Sequence, residues 1–526
     1  MKKVYFNASV ITMEDNKIEQ AVLFDNDSIL AVGSNDEVLK IAHDAEKVDM
    51  QGKTILPAFI DAHSHFSALA NSLLQVSLDE CTSIEELERK ISKFITDNNI
   101  KNGDWVIAKD FDQNNIESGV FPKRTDLDKI STDIAIAVQH KSGHCGSFNS
   151  LALKELGIDS SSVSPEGGLI EMENGEPTGY IEESAYMQAI QKVPMPDFKV
   201  LVESFKKAQD IYASFGICTV QEGMMVPMMK QLYDYLLQND LFKLNVIAFV
   251  GMNEPSDLFE QFKQYIKKYD KNFKIGGFKI FLDGSPQART AWMLTPYEHD
   301  KNYYGYGVLD DDKVFSFIKT ALKNDVQILA HCNGDAAIQQ YINAVKKLRE
   351  NGFDVSKIRP VIIHSQLIQE SQLDEVKKLN MIPSFFIAHV YYWGDAHIKN
   401  FGLLRASQIS PAKSAIDRDI IFTFHQDSPV IEPNMLETVW CAVTRTTESG
   451  AMLGNDQCIS VYDALKAVTI NAAYQYFEED IKGSIKKGKK ADLVILDKNP
   501  LEVETDEIKN IKVLQTIKDG FTIYKH

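Results

Sequence analysis

Eight nearly unbroken apolar runs, separated by stretches of helical pattern, constrain this chain more than any other feature. They are 55–62, 216–220, 244–250, 275–282, 326–330, 361–363, 382–388 and 420–424. Strands buried on both faces read as continuous apolar text, and helices between them imply parallel crossovers. Eight such strands alternating with helices give the arithmetic of a (β/α)8 TIM-like barrel.

The spacing is uneven. About 150 residues separate His65 from Gly216, far more than an ordinary βα connection. The segment holds its own strand-like text, such as Ile134-Ala135-Ile136-Ala137-Val138. It reads as an insertion of about 67–210 after the first barrel strand. Residues 1–56 read as short strands broken by Asp25-Asn26-Asp27 and Gly33-Ser34-Asn35-Asp36. Beyond Tyr476 the chain returns to strand text, as in Ala491–Leu496. Residues 1–56 and 476–526 are therefore expected to form a small β-sandwich domain built from both termini, with the barrel over 57–475.

Composition closes off other classes. The 526 residues are 44% hydrophobic and 25% charged, ordinary for a globular protein. The formal net charge of −18 repels polyanions, so neither nucleic acid nor an anionic membrane surface is an expected partner. No apolar stretch reaches the roughly 20 residues of a membrane span. The six cysteines form no CxxC pair, which fits a reducing compartment and a cytoplasmic protein. A homodimer is the default expectation for such a protein, without residue-level support.

The chemistry concentrates at strand ends. Asp61-Ala62-His63-Ser64-His65 closes the first run, where residues i and i+2 of a strand share a face. His63 and His65 are thus candidates to share a metal, and imidazole suits Zn2+. Alone, two polar residues at a strand end explain the motif as well. His331 ends the fifth run, His364 the sixth, and Asp427 follows the eighth. All fall at the rim where barrel active sites are built. Lys279 sits inside the apolar fourth run, a costly position for an unpaired charge. Two readings stand equal: a carboxylated lysine bridging two cations, or an ion pair with Glu222 or Asp283. Glu222 is the substitute bridging group should Lys279 be unmodified.

The set Pro57–His65, Lys279, His331, His364 and Asp427 resembles the amidohydrolase superfamily. More narrowly it resembles the amidohydrolase-3 branch, which includes N-substituted formamide deformylase. Further matching text is Ser142-Gly143-His144, Asn149–Leu153, Gly175–Gly179, Asp283-Gly284-Ser285, Arg289-Thr290-Ala291, Gly334-Asp335 and Asp427-Ser428-Pro429-Val430. The tail, Gly483-Ser484-Ile485 with Gly488–Leu493, also fits. The resemblance implies a distorted barrel holding one or two metal ions, usually zinc, with other divalent metals admissible. It implies that His63 and His65 ligate one ion and His331 and His364 a second. Lys279, carboxylated, would bridge the two, and Asp427 would touch a metal and carry the proton. Departures are Ala58 for the usual Gly, His425-Gln426 before the aspartate, and Cys332-Asn333 after His331.

The expected activity is hydrolysis of a C–N bond in a small molecule, most naturally a linear amide such as an N-acyl or N-formyl amine, by metal-activated hydroxide. Alternatives are a mononuclear hydrolytic deaminase of a C=N bond and a catalytically silent scaffold of the same fold. Substrate contacts are expected from His144 in the insertion, from Arg289, and from His389, Tyr391 and Trp393 beyond the seventh run. Each has a plainer reading: a loop hydrogen bond for His144, a pair with Asp283 for Arg289, and rim packing or local partners for the rest.

Overall fold

The computed structural model describes residues 2–526 except Glu80, Ser118, Ser142, Gly143, Met195 and Glu254. The Ser142-Gly143 part of the motif noted above lies outside the described residues. The chain divides into two compact units, Met1–Ala68 with Lys206–His526, and Leu69–Phe205.

At the centre of the first unit is a curled sheet of eight parallel strands. They are β1 (Phe59–Ile60), β2 (Ile217–Met225), β3 (Asn245–Gly251), β4 (Phe273–Phe281), β5 (Gln327–Cys332), β6 (Val361–His364), β7 (Ile382–Phe385) and β8 (Thr423–Phe424). Each pairs with the next in order. Every pairing is parallel. The end strands are two residues long and share no ladder. Beyond them the chain closes by backbone bonds, Asp427 N–H to His63 O (3.2 Å) and His65 N–H to Ser428 O (2.8 Å). The fold is the expected α/β TIM-like barrel.

The apolar runs form strands because both faces are covered. Ile247, Phe249, Leu329, Val361, Ile363 and Ile382 pack in one buried cluster with Ala472, Ala473 and Tyr476 from the segment after the last strand. Outside, helix Asp335–Glu350 buries Ala337, Ile338, Tyr341, Ile342, Val345 and Leu348, the three-to-four spacing of an amphipathic helix. Each of the Ile, Val and Leu side chains contributes roughly 1.5–3 kcal/mol by leaving water.

One apolar run is two strands. Residues 55–62 divide at Ala58. Thr54–Pro57 joins a six-stranded sheet, antiparallel to Leu493–Leu496 and parallel to Ser9–Ile11. Phe59–Ile60 enters the barrel. Periodicity cannot find this break, because both halves are buried on both faces. A separate four-stranded sheet is formed by Lys2–Phe6, Ala21–Asp25, Ser28–Gly33 and Glu46–Asp49.

The second unit carries its own six-stranded mixed sheet, which includes Trp105–Phe111 and Ala135–His140. Its core holds Val106, Phe111, Leu127, Ile136 and Val138. Among the described residues no helix is long and apolar enough to cross a membrane.

Candidate metal centre

His63 and His65 lie beyond the end of β1, not on it. Strand alternation is therefore not what brings them together. The backbone bonds that close the barrel hold this turn, and Gly223 N–H adds another to Ser64 O (2.8 Å). Gly223 leaves the room: a Cβ there would sit 2.7 Å from both His63 Cε1 and Ser64 O. The two imidazoles stand 5.2 Å apart, centroid to centroid.

The His63 ring has one possible tautomer. The Gln221 amide nitrogen donates to Ala62 O (2.9 Å) and to the Tyr476 hydroxyl (2.8 Å). The Gln221 oxygen therefore faces His63 Nδ1, at 2.5 Å, and can only accept. His63 carries its proton on Nδ1 and turns the Nε2 lone pair inward. Nε2 meets Asp427 Oδ1 at 3.4 Å and Lys279 Nζ at 3.1 Å. His65 Nε2 is also 3.4 Å from Asp427 Oδ1.

The donor atoms of His63, His65 and Asp427 all lie within 4.8 Å of one another. Asp427 Oδ1 is buried and has no hydrogen-bond donor among the described residues. An orphaned carboxylate oxygen facing two imidazole lone pairs fits a cation. The two 3.4 Å separations are short enough for one divalent cation to be held between these donors.

A second pair of nitrogens adjoins it. His331 Nδ1 and His364 Nε2 are 3.0 Å apart, and His364 Nε2 is 3.8 Å from Asp427 Oδ2. His331 Nε2 lies 3.3 Å from Gly284 O and 3.0 Å from the Asn333 amide nitrogen, while Nδ1 faces His364. Asp283 steadies this rim, taking backbone N–H bonds from Trp292 (3.0 Å), Asn333 (2.9 Å) and Gly334 (2.7 Å). His364 and Asp427 have φ of 72° and 55°. Non-glycine residues adopt that region where the surroundings hold them, often at functional sites.

Burial sets the charges. It lowers His65 and His331 to about 3 and His63 and His364 well below the usual histidine value, with Lys279 adding to each shift. All four are neutral imidazoles at physiological pH, the form that binds metals. Burial also lowers the Lys279 ammonium and raises the Asp427 carboxyl above the usual carboxylate range, although the mutual charge opposes both.

The structure thus brings His63, His65, Lys279, His331, His364 and Asp427 together. Neither expected ion pair of Lys279 is formed. Glu222 lies on the opposite face of β2 from Gln221 and Gly223, its Oε2 accepting from the Ser67 backbone and hydroxyl and from Tyr233 OH (2.6 Å), with Oε1 buried and without a hydrogen-bond partner among the described residues. It is not placed to substitute for Lys279. Strand alternation explains this, since Gln221 and Gly223 face His63. Arg289 does not pair with Asp283, which is saturated by backbone donors. It reaches Asp300 (3.4 Å) and lies over the rings of Tyr297 and Tyr303.

Beyond β7 the aromatic contacts diverge. Trp393 packs on His389 and Phe386, and Phe386 lies 6.2 Å from His364. His389 stacks on His397, their nitrogens 3.2 Å apart. The contacts of Tyr391 run to Tyr392 and Trp440 instead. His144, in the second unit, meets Glu183 at 3.1 Å. Sequence reasoning missed Gln221, Gly223 and the role of His425, which sits between His63 and His364.

Known proteins share the family and the fold of this chain. The model of the amidohydrolase family matches residues 46–524. N-substituted formamide deformylase of Arthrobacter pascens is 27% identical over 549 residues, covering 99% of this chain and 97% of that protein. The protein LONG AFTER FAR-RED 3 of Arabidopsis thaliana is 27% identical over 534 residues, covering 98% and 91%. The crystal structure of an uncharacterized metal-dependent hydrolase from Pyrococcus horikoshii OT3 superposes with a TM-score of 0.79 at 24% identity, covering 96% of this chain and 99% of that one.

Proposed function

Because this chain belongs to the amidohydrolase family, and is by that membership a hydrolase of C–N bonds, we propose that it cleaves a linear amide, an N-formyl or N-acyl amine, with one or two zinc ions. The observation that carries this reading is the convergence of four neutral imidazoles, one orphaned carboxylate and one buried amine at the C-terminal mouth of the barrel. The likeness to the formamide deformylase makes N-formyl amines the first substrates to try.

In this reading His63, His65 and Asp427 hold one ion, and His331 and His364 hold the second. Lys279, kept near neutrality by burial, attacks CO2 through its Nζ lone pair and releases one proton. The resulting carbamate would be anionic, and its two oxygens could each serve as a ligand to a bound cation. Divalent ions bound there supply a Lewis acid for the substrate carbonyl and lower the pKa of a water towards neutrality. Asp427 accepts the proton that the attacking water releases, then returns it to the departing amine nitrogen. Its raised pKa suits both halves of that transfer. Trp393 and Phe386 supply an apolar wall, with His389 behind them, and Arg289 is the candidate for a polar substrate contact.

We extend the proposal to organisation. Residues 1–56 and 476–526 act as one β-sandwich domain, a reading supported by the pairing of Thr54–Pro57 with Leu493–Leu496. All six cysteines stand free, the state a reducing cytoplasm maintains. The test of function is direct. The purified chain is assayed for amine release from a panel of N-formyl and N-acyl amines, before and after chelation. Hydrolysis that chelation abolishes supports the reading; a metal-loaded protein inert on every linear amide refutes it.

A further inference from the structure

We propose that His425 is a positioning residue that fixes the His364 ring through a His364–His425–Ser384 relay, and so sets the affinity of the second ion position. The inference rests on the metal reading above.

His425 Nε2 lies 3.2 Å from His364 Nδ1, and His425 Nδ1 lies 2.8 Å from Ser384 Oγ. His425 and Ser384 are wholly buried, and His364 nearly so. The two contacts run directly between these side chains, so a proton lies on one partner of each pair. A histidine nitrogen that turns its lone pair to a cation carries no proton. With His364 Nε2 facing His331 and Asp427, the His364 proton sits on Nδ1. It donates to His425 Nε2. His425 then holds its own proton on Nδ1 and donates it to Ser384 Oγ. One tautomer of each ring satisfies the whole chain. The reverse order would put a proton on His364 Nε2 and block it as a ligand.

Metal-bound histidines commonly donate their other N–H to a carboxylate or a carbonyl. Here the acceptor is a second imidazole, which orients His364 without adding negative charge beside the ions. His425 is itself held edge-on against His63 (centroids 5.3 Å, 89°) and tilted against Phe386 (5.4 Å). The relay thereby ties β6, β7 and the segment after β8 to one nitrogen. It also helps to hold His364 at its left-handed φ of 72°.

The test uses the full chain as wild type, His425→Leu, His425→Gln and Ser384→Ala. Each is stripped by chelation, titrated with Co2+ alone, and followed by visible absorption and ion counting. Wild type should bind two ions. His425→Leu should weaken the second ion by about 10- to 100-fold and leave the first within about threefold, the range seen when such partners are removed. His425→Gln, whose amide oxygen can accept from His364 Nδ1, should recover most of the loss. Ser384→Ala, which removes one oxygen, should weaken the second ion in the same direction by a smaller factor, and it carries the test if His425→Leu does not fold. Equal second-ion affinity in wild type and in Ser384→Ala or His425→Leu overturns the relay alone, as does equal weakening in the Leu and Gln variants. A wild type that takes up no second ion overturns the two-ion reading and the relay with it.

Discussion

Lys279 Nζ lies 3.1 Å from His63 Nε2, and neither residue is exposed to solvent. An ammonium there would be surrounded by low dielectric and by neutral imidazoles, and the nearby Asp427 carboxylate offsets only part of that burial. Burial therefore favours the free amine, and a free amine is the form that reacts with CO2. Wild type supplied with 13C-labelled bicarbonate should show a carbamate carbon resonance. Lys279→Arg should show none, because a guanidinium stays protonated, and should lose at least about 10²-fold in kcat/KM, the scale on which positioned acid–base groups act. A fully active Lys279→Arg enzyme contradicts the assignment.

Asp427 combines an orphaned oxygen with a raised pKa. Asparagine keeps an oxygen at nearly the same position but cannot take up the proton. Asp427→Asn should therefore lose about 10²–10⁴-fold in kcat while metal content stays nearly intact. Parallel rate and metal measurements check this, and full turnover in the variant would remove Asp427 from the proton path.

Gly223 is the least conspicuous member of the site. A methyl group placed 2.7 Å from His63 Cε1 must push the imidazole off its position. Gly223→Ala should weaken metal binding by about 10- to 100-fold, the scale of lost ligand orientation, and should also lower the melting temperature, because the same Cβ meets the Ser64 backbone oxygen at 2.7 Å. Metal titration with a melting curve separates this from simple misfolding.

A different part of the barrel carries an acid-sensitive element. Glu478 is buried between Lys274 and Lys482. Burial alone would raise its pKa, but Lys482 and Lys274 bring it down to about 2. A depressed carboxyl contributes stability that is complete above its unfolded value, near 4.5. That stability is lost as pH falls from there towards 2. Wild type should lose on the order of 3 kcal/mol across that window through this group. Glu478→Gln should flatten this part of the acid denaturation curve. At neutral pH it should be less stable by about 3–5 kcal/mol, because two lysines lose their buried partner.

Much of this was legible in the sequence. The eight apolar runs marked every barrel strand, because burial on both faces removes polar positions from the text. The positions of His331, His364 and Asp427 relative to those runs were legible too, since strand ends fix the rim. What the sequence hid was direction. Glu222 and Gln221 are neighbours, and only the phase of β2 decides which of them meets His63. Arg289 had Asp283 as its expected acidic partner, but backbone donors saturate Asp283 and Arg289 reaches Asp300 instead. His425 stands out in the sequence only as a departure from the family pattern before Asp427. Its significance depends on Ser384 and His364, which lie about 40 and 60 positions earlier and which only the closed barrel brings beside it.

The central claim, that these side chains form a working metal centre, is tested most directly by counting ions and activity together. Wild type and a His63→Asn/His65→Asn variant are purified, analysed for divalent metal, and assayed on the best amide substrate before chelation, after it, and after zinc is restored. The account predicts one or two ions per wild-type chain, activity that follows them out and back, and loss of both metal and turnover in the variant. A wild type with no bound ion, or turnover indifferent to chelation, would contradict it.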